Sequence, residues 1–285
     1  MGAITVAFKK EFANTLYLLA QQSGSKFLNN VRYETDLTGE AKFYTQYGED
    51  SANVKNTRHQ DIEYSPDDYS RRMVTPQKIY WSKILDTEDE ISMGLDPKSA
   101  LMTAGKNAIG KKIDDVIIAA LRGTASTGTS GGTPTTLPAA QKIAVAASGL
   151  TLTKLLDVKE LFDAAEVPED DRYFPIGAVQ LRELLNISEI KSADYNTVRA
   201  LAAGKMGSFL GFNFFLTNRL VKSSTTRYCT PYQKSGILFA SNGGVTTSVD
   251  KLVAKVGQPS QLYSDIYGGA TRMEEVMVAE VACQE

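Results

Sequence analysis

The sequence predicts a mixed α+β fold, and three stretches of the chain indicate it. Residues 97–122 carry apolar side chains at helical spacing over a length above that of an average helix. Residues 151–230 alternate between helix-like and strand-like patterns. Residues 236–282 contain apolar runs separated by glycine-rich turns, which is typical of antiparallel strands.

The composition is that of a globular protein large enough to bury a core. Of the 285 residues, 42% are hydrophobic and 22% are charged, and the formal net charge is −2. This charge argues against a dedicated nucleic-acid-binding protein, which would carry a basic face or tail. The two cysteines, Cys229 and Cys283, are too few for a disulfide framework and fit a reducing compartment. No run approaches the ~20 apolar residues of a membrane span.

The first part of the chain predicts few core elements. Residues 8–21 are compatible with a short helix, and we expect residues 1–37 to dock on a partner. Residues 41–47 and 78–85 predict two strands. The polar stretch between them is long for a loop of a compact domain, which indicates a binding or disordered segment.

The long predicted helix has recognisable ends. Asp96 is a suitable N-cap and Pro97 fits the first helical position. Arg122 suits the last turn and Gly123 the position after it. The following residues, 123–137, are a low-complexity run of Gly, Ser and Thr, which predicts a flexible surface loop.

The remaining elements follow from shorter patterns. In the central part we expect helices at 153–166 and 178–185, a strand at 172–176 and a strand pair at 205–217. Turns or bulges in that strand pair are expected at Gly204, Gly207 and Gly211. In the last part we expect strands at 236–240, 262–267 and 274–281, with turns at 242–244 and 268–269.

One segment has the spacing of a phosphate-binding loop. Residues 105–112 read Gly, four residues, Gly-Lys, but Lys112 occupies the position that needs a Ser or Thr for Mg²⁺. The segment also lies inside the strongest predicted helix, where the backbone amides are already bonded. We therefore interpret Gly105 and Gly110 as small residues that permit close packing of the helix.

Other enzyme chemistry has little support. His59 is the single histidine and sits in a polar run, so a catalytic triad or a zinc site is not expected. The acidic clusters at 67–68, 86–90 and 169–171 lack a calcium-loop pattern and indicate solvated turns. We predict no catalytic residue, no metal ligand and no cofactor.

Aromatic and basic side chains are interleaved with acids over residues 41–84. Charges of both signs favour contact with another protein subunit over a nucleic-acid surface. The candidate contact residues are Phe43, Tyr44, Tyr47, Arg58, Arg71, Arg72, Tyr80 and Trp81. Trp81, the only tryptophan, is also expected to anchor packing.

The order of parts resembles that of the major capsid proteins of tailed bacteriophages with the Hong Kong ninety-seven fold. A terminal segment and a charged excursion precede the long helix, which ends Asp-Asp-Val-Ile-Ile-Ala-Ala-Leu-Arg-Gly at 114–123. A glycine-rich loop, an α/β insertion and strands ending near Gly-Gly-Ala-Thr-Arg at 268–272 follow. The resemblance covers nearly the whole chain and is densest over 55–125 and 235–282.

This resemblance implies a domain plan and a function. The parts would be an N-terminal arm (1–37), an extended loop (38–84), a peripheral domain (85–149) with a spine helix (97–122), an axial domain (150–230) and return strands (231–285). It implies a non-enzymatic subunit that self-assembles into hexamers and pentamers of an icosahedral shell enclosing double-stranded DNA. Implied partners are a separate scaffolding protein, a portal and non-specifically held DNA, without a membrane, after synthesis in the cytoplasm of a host bacterium.

Two alternatives stay open at this point. The same fold could build the shell of a bacterial nanocompartment, which would hold cargo enzymes instead of DNA. A phosphate-binding or hydrolytic enzyme built on residues 105–112 is the less supported alternative.

Overall fold

A computed structural model describes residues 20–65, 68–86, 88, 98–187 and 208–285. The helices in these residues are α1 Lys98–Arg122, α2 Leu152–Ala164 and α3 Ala178–Asn186. The strands are β1 Arg32–Glu34, β2 Lys42–Tyr47, β3 Tyr69–Val74, β4 Gln77–Leu85, β5 Ala125–Thr127, β6 Thr133–Thr135, β7 Lys142–Ile143, β8 Arg172–Ile176, β9 Ser208–Phe209, β10 Phe212–Leu216, β11 Lys222–Ser223, β12 Thr226–Cys229, β13 Tyr232–Gln233, β14 Ile237–Ser241, β15 Thr246–Lys251, β16 Ser260–Arg272 and β17 Glu280–Gln284. The α+β prediction is confirmed.

The predicted long helix is confirmed as α1 over the residues that the structure describes, from Lys98 to Arg122. It has 25 residues, and the amide of Gly123 donates to the Ala119 carbonyl at 2.7 Å just beyond its last residue. The predicted cap, Asp96 with Pro97, lies outside the described residues, as do residues 8–19 of the predicted N-terminal helix.

Two glycines let other parts of the chain approach α1 closely. A Cβ on Gly105 would lie 2.4 Å from the Trp81 ring, and one on Gly110 would lie 2.4 Å from the backbone carbonyl carbon of Gly24. The interpretation of both glycines as packing positions is confirmed. Since the segment is helical, its amides are not arranged as a phosphate-binding loop.

Substituting Gly110 with Ala is expected to displace residues 24–25 from the helix. The clash is with backbone, which cannot rotate away, so we expect a loss of about 1–3 kcal/mol despite the higher helix propensity of Ala. The Gly24 amide donates to Asn107 Oδ1 at 3.0 Å, and its hydrogen exchange is expected to accelerate. Gly244→Ala, where a Cβ meets nothing within 4 Å, is the control. Unchanged Gly24 protection in Gly110→Ala would contradict this packing.

The described residues form two compact units, and the first contains 20–25, 78–86, 88, 98–112 and 244–266. In it, β15 pairs antiparallel with the first part of β16, in a register that runs from Thr246 opposite Asp265 to Lys251 opposite Ser260. Strand β4 also pairs with β16. On this small sheet, the Tyr80 and Tyr263 rings are stacked at 6.4 Å and Lys78 pairs with Asp265 at 3.0 Å.

The second unit contains the other described residues and most of the core. In it, β1 pairs parallel with β14, and β14 pairs antiparallel with the second part of β16. A separate sheet has the order β2-β3-β5-β6. One cluster of buried side chains packs at the base of that sheet: Leu37, Tyr44, Val74, Leu238, Ala240 and Met273.

The central α/β part of the second unit has an aromatic core. Its sheet has the order β13-β8-β10-β9, with β8 and β10 parallel. Phe174 contacts Phe212 and Phe214 at ring-centroid distances of 5.8 and 5.2 Å, and Phe162 of α2 contacts Phe212 at 5.6 Å. The predicted helices and the strand at 172–176 are confirmed to within two residues.

Part of the expected N-terminal arm folds within its own subunit. The amides of Lys26 and Phe27 donate to Asp114 Oδ1 at 3.1 and 3.2 Å, and β1 pairs with β14. Phe27 is fully buried and its ring lies 5.0 Å from that of Phe215. The expectation of docking on a partner is therefore wrong for residues 26–37, because these backbone groups and apolar side chains already have partners.

Two stretches expected to be loops contain strands. Residues 69–74, within the polar stretch, form β3, which pairs with β2; the predicted strand at 78–85 pairs with β16 and not with β2. Residues 125–127 and 133–135, within the Gly/Ser/Thr run, form a β5–β6 hairpin. Gly128 and Gly131, in the connection between the two strands, have the positive φ that glycine adopts readily. Strand β5 also pairs with β3, so this threonine-containing hairpin extends the sheet, in line with the strand propensity of threonine.

The last predicted strand starts too early. Residues 274–279 contain a turn at 276–277 and a single β-bridge from Val278 to Tyr232, and β17 begins only at Glu280. Glu274 and Glu275 accept side-chain hydrogen bonds from Gln46 and Arg72 instead of entering a strand. Gly268 and Gly269 do not separate strands but lie inside β16. A Cβ on Gly268 would lie 2.8 Å from the Ala240 carbonyl oxygen, and one on Gly269 would lie 2.6 Å from the Thr75 carbonyl oxygen.

The carboxyl group of Glu285 is expected to make the free energy of unfolding depend on pH in the acidic range. Hydrogen bonds from Arg227, with Lys222 nearby, lower the pKa of Glu285 from 4.5 to about 2. A lowered folded-state pKa contributes stability above pH about 4.5, and that contribution is lost as the pH falls toward 2. Glu285→Gln is expected to lose up to about 3 kcal/mol of unfolding free energy at pH 7 and much less at pH 2.5.

Urea unfolding at the two pH values measures this difference. Glu34→Gln, which changes a more exposed pair with Arg32, is the matched control and should cost about 0–1 kcal/mol. A deficit of Glu285→Gln that does not change with pH would contradict the ionic origin.

Candidate inter-subunit surface

Strands β2 and β3 form a regular hairpin that carries a long excursion. Six residue pairs are in register, from Lys42 opposite Val74 to Tyr47 opposite Tyr69. The hairpin closes where the Gly48 amide donates to the Asp68 carbonyl at 2.7 Å. Residues 48–68, between the two strands, are called the excursion below.

The base of this hairpin is held firmly inside the subunit. Arg72 Nη2 donates to Glu275 at 2.7 Å, and Gln46 Nε2 donates to Glu274 at 3.2 Å. Tyr44 belongs to the buried cluster at the base, and burial raises the pKa of Tyr44 to about 12. The excursion therefore starts from a rigid base.

Residues 49–65 of the excursion are bonded mainly among themselves within the described part of the chain. Of residues 49–65, all but Gln60 are exposed. Val54, Ile62 and Tyr64 are 76%, 77% and 87% exposed. Among the described residues, side-chain hydrogen bonds of 49–65 reach only within the excursion or to Tyr47, whose hydroxyl donates to Asp50 at 2.7 Å. These exposed apolar side chains, on a connection this long, make the excursion a candidate interaction segment.

Sequence reasoning did not name Val54 and Ile62 among the candidate contact residues. Both are isolated apolar residues in a polar run, with no periodic apolar neighbours to predict burial. An apolar residue standing alone in a polar run was the one sequence feature that could have singled them out.

The predicted contact residues divide by exposure. Phe43, Tyr47, Arg58, Arg71 and Tyr80 are exposed. Trp81 is half-buried against Gly105, as expected of a packing anchor.

Tyr44 and Arg72 are only 7% and 8% exposed, so their surfaces are mostly used within the chain. The structure thus brings Phe43, Tyr47 and Arg71 to the hairpin that bears the excursion, Arg58 to the excursion itself and Tyr80 to the separate β4 sheet.

The predicted glycine turns are only partly described. Gly204 and Gly207 lie outside the described residues. Gly211 has φ +83° and follows Leu210 with φ 52°, so the two form a tight turn between β9 and β10. That turn confirms the predicted strand pair from residue 208 onward.

Other side chains with chemical potential have structural surroundings. His59 is exposed at a turn, with φ 59°. Cys229 and Cys283 are buried, and the hydrogen bond that the Cys229 thiol donates to Cys283, together with burial, raises the pKa of the Cys229 thiol. Within the described ranges, no three His, Cys, Asp or Glu side chains converge in a way that could hold a metal ion. No helix in the described part of the chain has the length and apolar character to cross a membrane.

Comparison with known proteins decides the family. The family model described as phage capsid protein matches residues 4–285. The chain belongs to the phage capsid protein family. No curated protein sequence matches it. This membership confirms the predicted type of protein, a major capsid protein that forms a phage head shell and resides in the virion.

Solved structures with a similar fold include phage capsids. The capsid of cyanophage P-SCSP1u has a TM-score of 0.76 at 17% identity, covering 96% of this chain and 92% of that chain. The capsid of Ralstonia phage GP4 has a TM-score of 0.73 at 11% identity, with coverages of 99% and 98%. A protein of Mycobacterium phage Che8 has a TM-score of 0.72 at 14% identity, with coverages of 98% and 98%. The predicted Hong Kong ninety-seven-like capsid fold is confirmed.

Proposed function

We propose that this capsid protein assembles by laying its excursion on an adjacent copy of the chain. The observation that carries the proposal is that residues 49–65, apart from Gln60, are exposed, while the hairpin base is fixed. Among the described residues, the side-chain hydrogen bonds of 49–65 stay within the excursion or reach Tyr47. A fixed base with an exposed polar segment that carries apolar side chains is suited to donate that segment to a neighbour. Hexameric and pentameric capsomers of an icosahedral head follow from repeating this contact.

The energetics favour cooperative assembly over strong pairwise binding. Burying Val54, Ile62 and Tyr64 would contribute roughly 1.5–3 kcal/mol each, before the cost of ordering the segment. A single contact would therefore be weak. In a closed ring each copy both donates and receives an excursion, and the high effective concentration makes the ring stable.

The domain roles are part of the same proposal. Residues 150–230 would form the axial domain at the capsomer centre, and 85–149 with 231–285 the peripheral domain around the spine helix. The aromatic core that joins α2, β8 and β10 supports a separately packed axial part. Residues 38–84 would be the extended loop, with β2 and β3 as its fixed stem.

We also propose the partners of the shell. A separate scaffolding protein and a portal would take part in assembly in the cytoplasm of the host bacterium. The packaged double-stranded DNA would be held without sequence specificity, which agrees with a net charge of −2. The subunit would perform no catalysis.

Sedimentation velocity and negative-stain imaging of the purified chain test the proposal. We expect capsomers or particles at high concentration, alone or with its scaffolding protein. A monomer under all salt and concentration conditions, with scaffolding protein present, would refute it. Particles that contain cargo enzymes and no DNA would favour the nanocompartment alternative.

A further inference from the structure

The side chain of Lys154 is buried among backbone carbonyl groups. Lys154 lies in the first turn of α2 and is 4% exposed. Its Nζ donates to three carbonyl oxygens of one short stretch of chain, those of Val145, Ser148 and Gly149, at 2.8, 2.9 and 3.0 Å. It also donates to the carbonyl oxygen of Ala282 in β17, at 2.8 Å. An ammonium has three N–H groups, so at least one of them is shared between two carbonyls.

The turn that Lys154 holds is unfavourable for its own sequence. The Ser148 amide donates to the Val145 carbonyl at 3.0 Å and closes the turn over Ala146 and Ala147. These two alanines have φ of 46° and 47°. Turns with positive φ at both central positions usually carry Gly, Asn or Asp, because a Cβ is crowded in this conformation. Two consecutive alanines therefore make this a turn with strained backbone.

The same turn is bound to β17 on one side and leads into α2 on the other. The Gln284 amide of β17 donates to the Ser148 carbonyl at 3.0 Å. Strand β7, which precedes the turn, pairs parallel with β17. Helix α2 begins just after the turn, with Thr151 as its N-cap. The Lys154 ammonium is thus the point at which the turn, α2 and β17 meet.

We propose that Lys154 is a latch and that residues 145–149 are the hinge that it holds closed. While the ammonium is bound to the carbonyls, it offsets the strain at Ala146 and Ala147 and fixes α2 against β17. Once it is released, the turn relaxes to negative φ and α2 moves relative to β17. A few residues between two elements that absorb such a change in backbone angles are the usual form of a hinge.

The bonding of the ammonium suits a contact that opens. Among the described residues, its four bonded acceptors are carbonyl oxygens. Burial lowers the pKa of Lys154 because the ammonium loses hydration, while the nearby Cys283 and Glu183 side chains act in the opposite direction. Release into water restores that hydration, and relaxation of the turn removes the backbone strain. Both effects favour an open state that competes with the closed one.

Hydrogen exchange of the unassembled subunit tests the latch. Lys154→Met has a side chain of similar length without the ammonium. We expect the amides of Ser148 and Gln284 to exchange about tenfold faster or more in this variant. The Met273 amide, which donates to a carbonyl at 2.8 Å elsewhere in the same unit, should be unchanged. Equal acceleration at Met273 would mean a general loss of stability and would overturn the latch, as would unchanged exchange at Ser148 and Gln284.

Lys159→Met is the matched control. Lys159 lies on the same helix, is partly exposed, and pairs with Asp163 at 2.7 Å. The same substitution there removes a charge without touching the turn. Exchange at Ser148 and Gln284 should stay within about twofold of the wild type.

Glycine in the hinge separates strain from the loss of hydrogen bonds. Glycine adopts positive φ without the crowding of a Cβ, so Ala146→Gly with Ala147→Gly should slow exchange at Ser148 by about threefold or more while Lys154 is present. Added to Lys154→Met, the glycine pair should reverse at least about threefold of the acceleration. Faster exchange with Lys154 present, or no recovery without it, would overturn the strained hinge. The first comparison keeps Lys154, so it decides the question even if Lys154→Met does not fold.

The consequence for the shell rests on the proposed function. Residues up to 149 belong to the part assigned to the peripheral domain and α2 to the axial domain, so an open hinge lets the angle between the two parts vary. Where the wild type and Lys159→Met form closed shells, Lys154→Met should form mainly open or irregular particles. Regular shells from a Lys154→Met subunit with fast Gln284 exchange would refute this consequence and leave the assembly function standing. A wild type that stays monomeric would instead refute the proposed function.

Discussion

Replacing residues 49–67 with Asn-Gly is expected to yield a folded subunit that no longer forms shells. Gly48 and Asp68 are already joined by a 2.7 Å hydrogen bond, so a two-residue turn can close the hairpin there. The buried cluster at the hairpin base and the Arg72–Glu275 pair remain. Because the side-chain hydrogen bonds of residues 49–65 stay within this segment or reach Tyr47 among the described residues, the unfolding midpoint should stay within a few degrees of the wild type.

Particle formation measured by sedimentation and imaging should fall below detection in this deletion. A length-matched variant, Val54→Ser with Ile62→Ser and Tyr64→Ser, separates the loss of apolar contact from the loss of chain length. It should also fail or assemble only at far higher concentration, since it removes the exposed apolar surface. Normal shells from the deletion variant would show that assembly does not depend on the excursion.

The largest expected effect on stability is that of Arg272→Met. Arg272 is fully buried, and its guanidinium donates to the carbonyls of Leu121, Gly123 and Thr135 at 3.1, 2.8 and 2.9 Å. The first two carbonyls lie at the C-terminal end of α1, which lacks intrahelical donors. Methionine would fill the space but leave these buried acceptors unbonded. We expect a loss of about 3–5 kcal/mol in the free energy of unfolding.

Arg32→Met is the matched control, because Arg32 is about half exposed and, within the described ranges, its ion pair is with Glu34 alone. It should cost about 1 kcal/mol or less in urea unfolding. Arg272→Lys should fall between the two, because an ammonium group cannot reproduce the planar set of donors. A near-neutral Arg272→Met would show that water or rearranged donors satisfy the helix end.

The sequence was most informative where one local pattern controls one element. Helix α1, α2 and α3 were predicted from apolar spacing, and each was found within two residues of its predicted bounds where described. The packing role of Gly105 and Gly110 was also predictable, since glycines inside a strong helix usually mark a close approach. What packs there, the Trp81 ring and the Gly24 backbone, was not predictable.

Strand pairing could not be predicted in the same way. The β3 sequence Tyr-Ser-Arg-Arg-Met-Val looks polar, yet it pairs on both sides, with β2 and β5. The predicted contact residues remain a prediction, but their exposure within the chain could not be read from the sequence. Tyr44 and Arg72 proved to be mostly buried, because register places them opposite each other on the face that packs on the core.

By itself, the sequence determined the α+β class, the long helix and the exposed polar stretch. These follow from composition and periodicity, which are local properties, whereas the type of protein was implied by the resemblance of the order of parts to a known family. The tertiary structure alone decided which strands pair, that residues 26–37 belong to their own subunit and that two buried arginines share Glu275. Each of these depends on residues far apart in sequence, whose contacts are selected by the packing of the whole unit and not by local propensity.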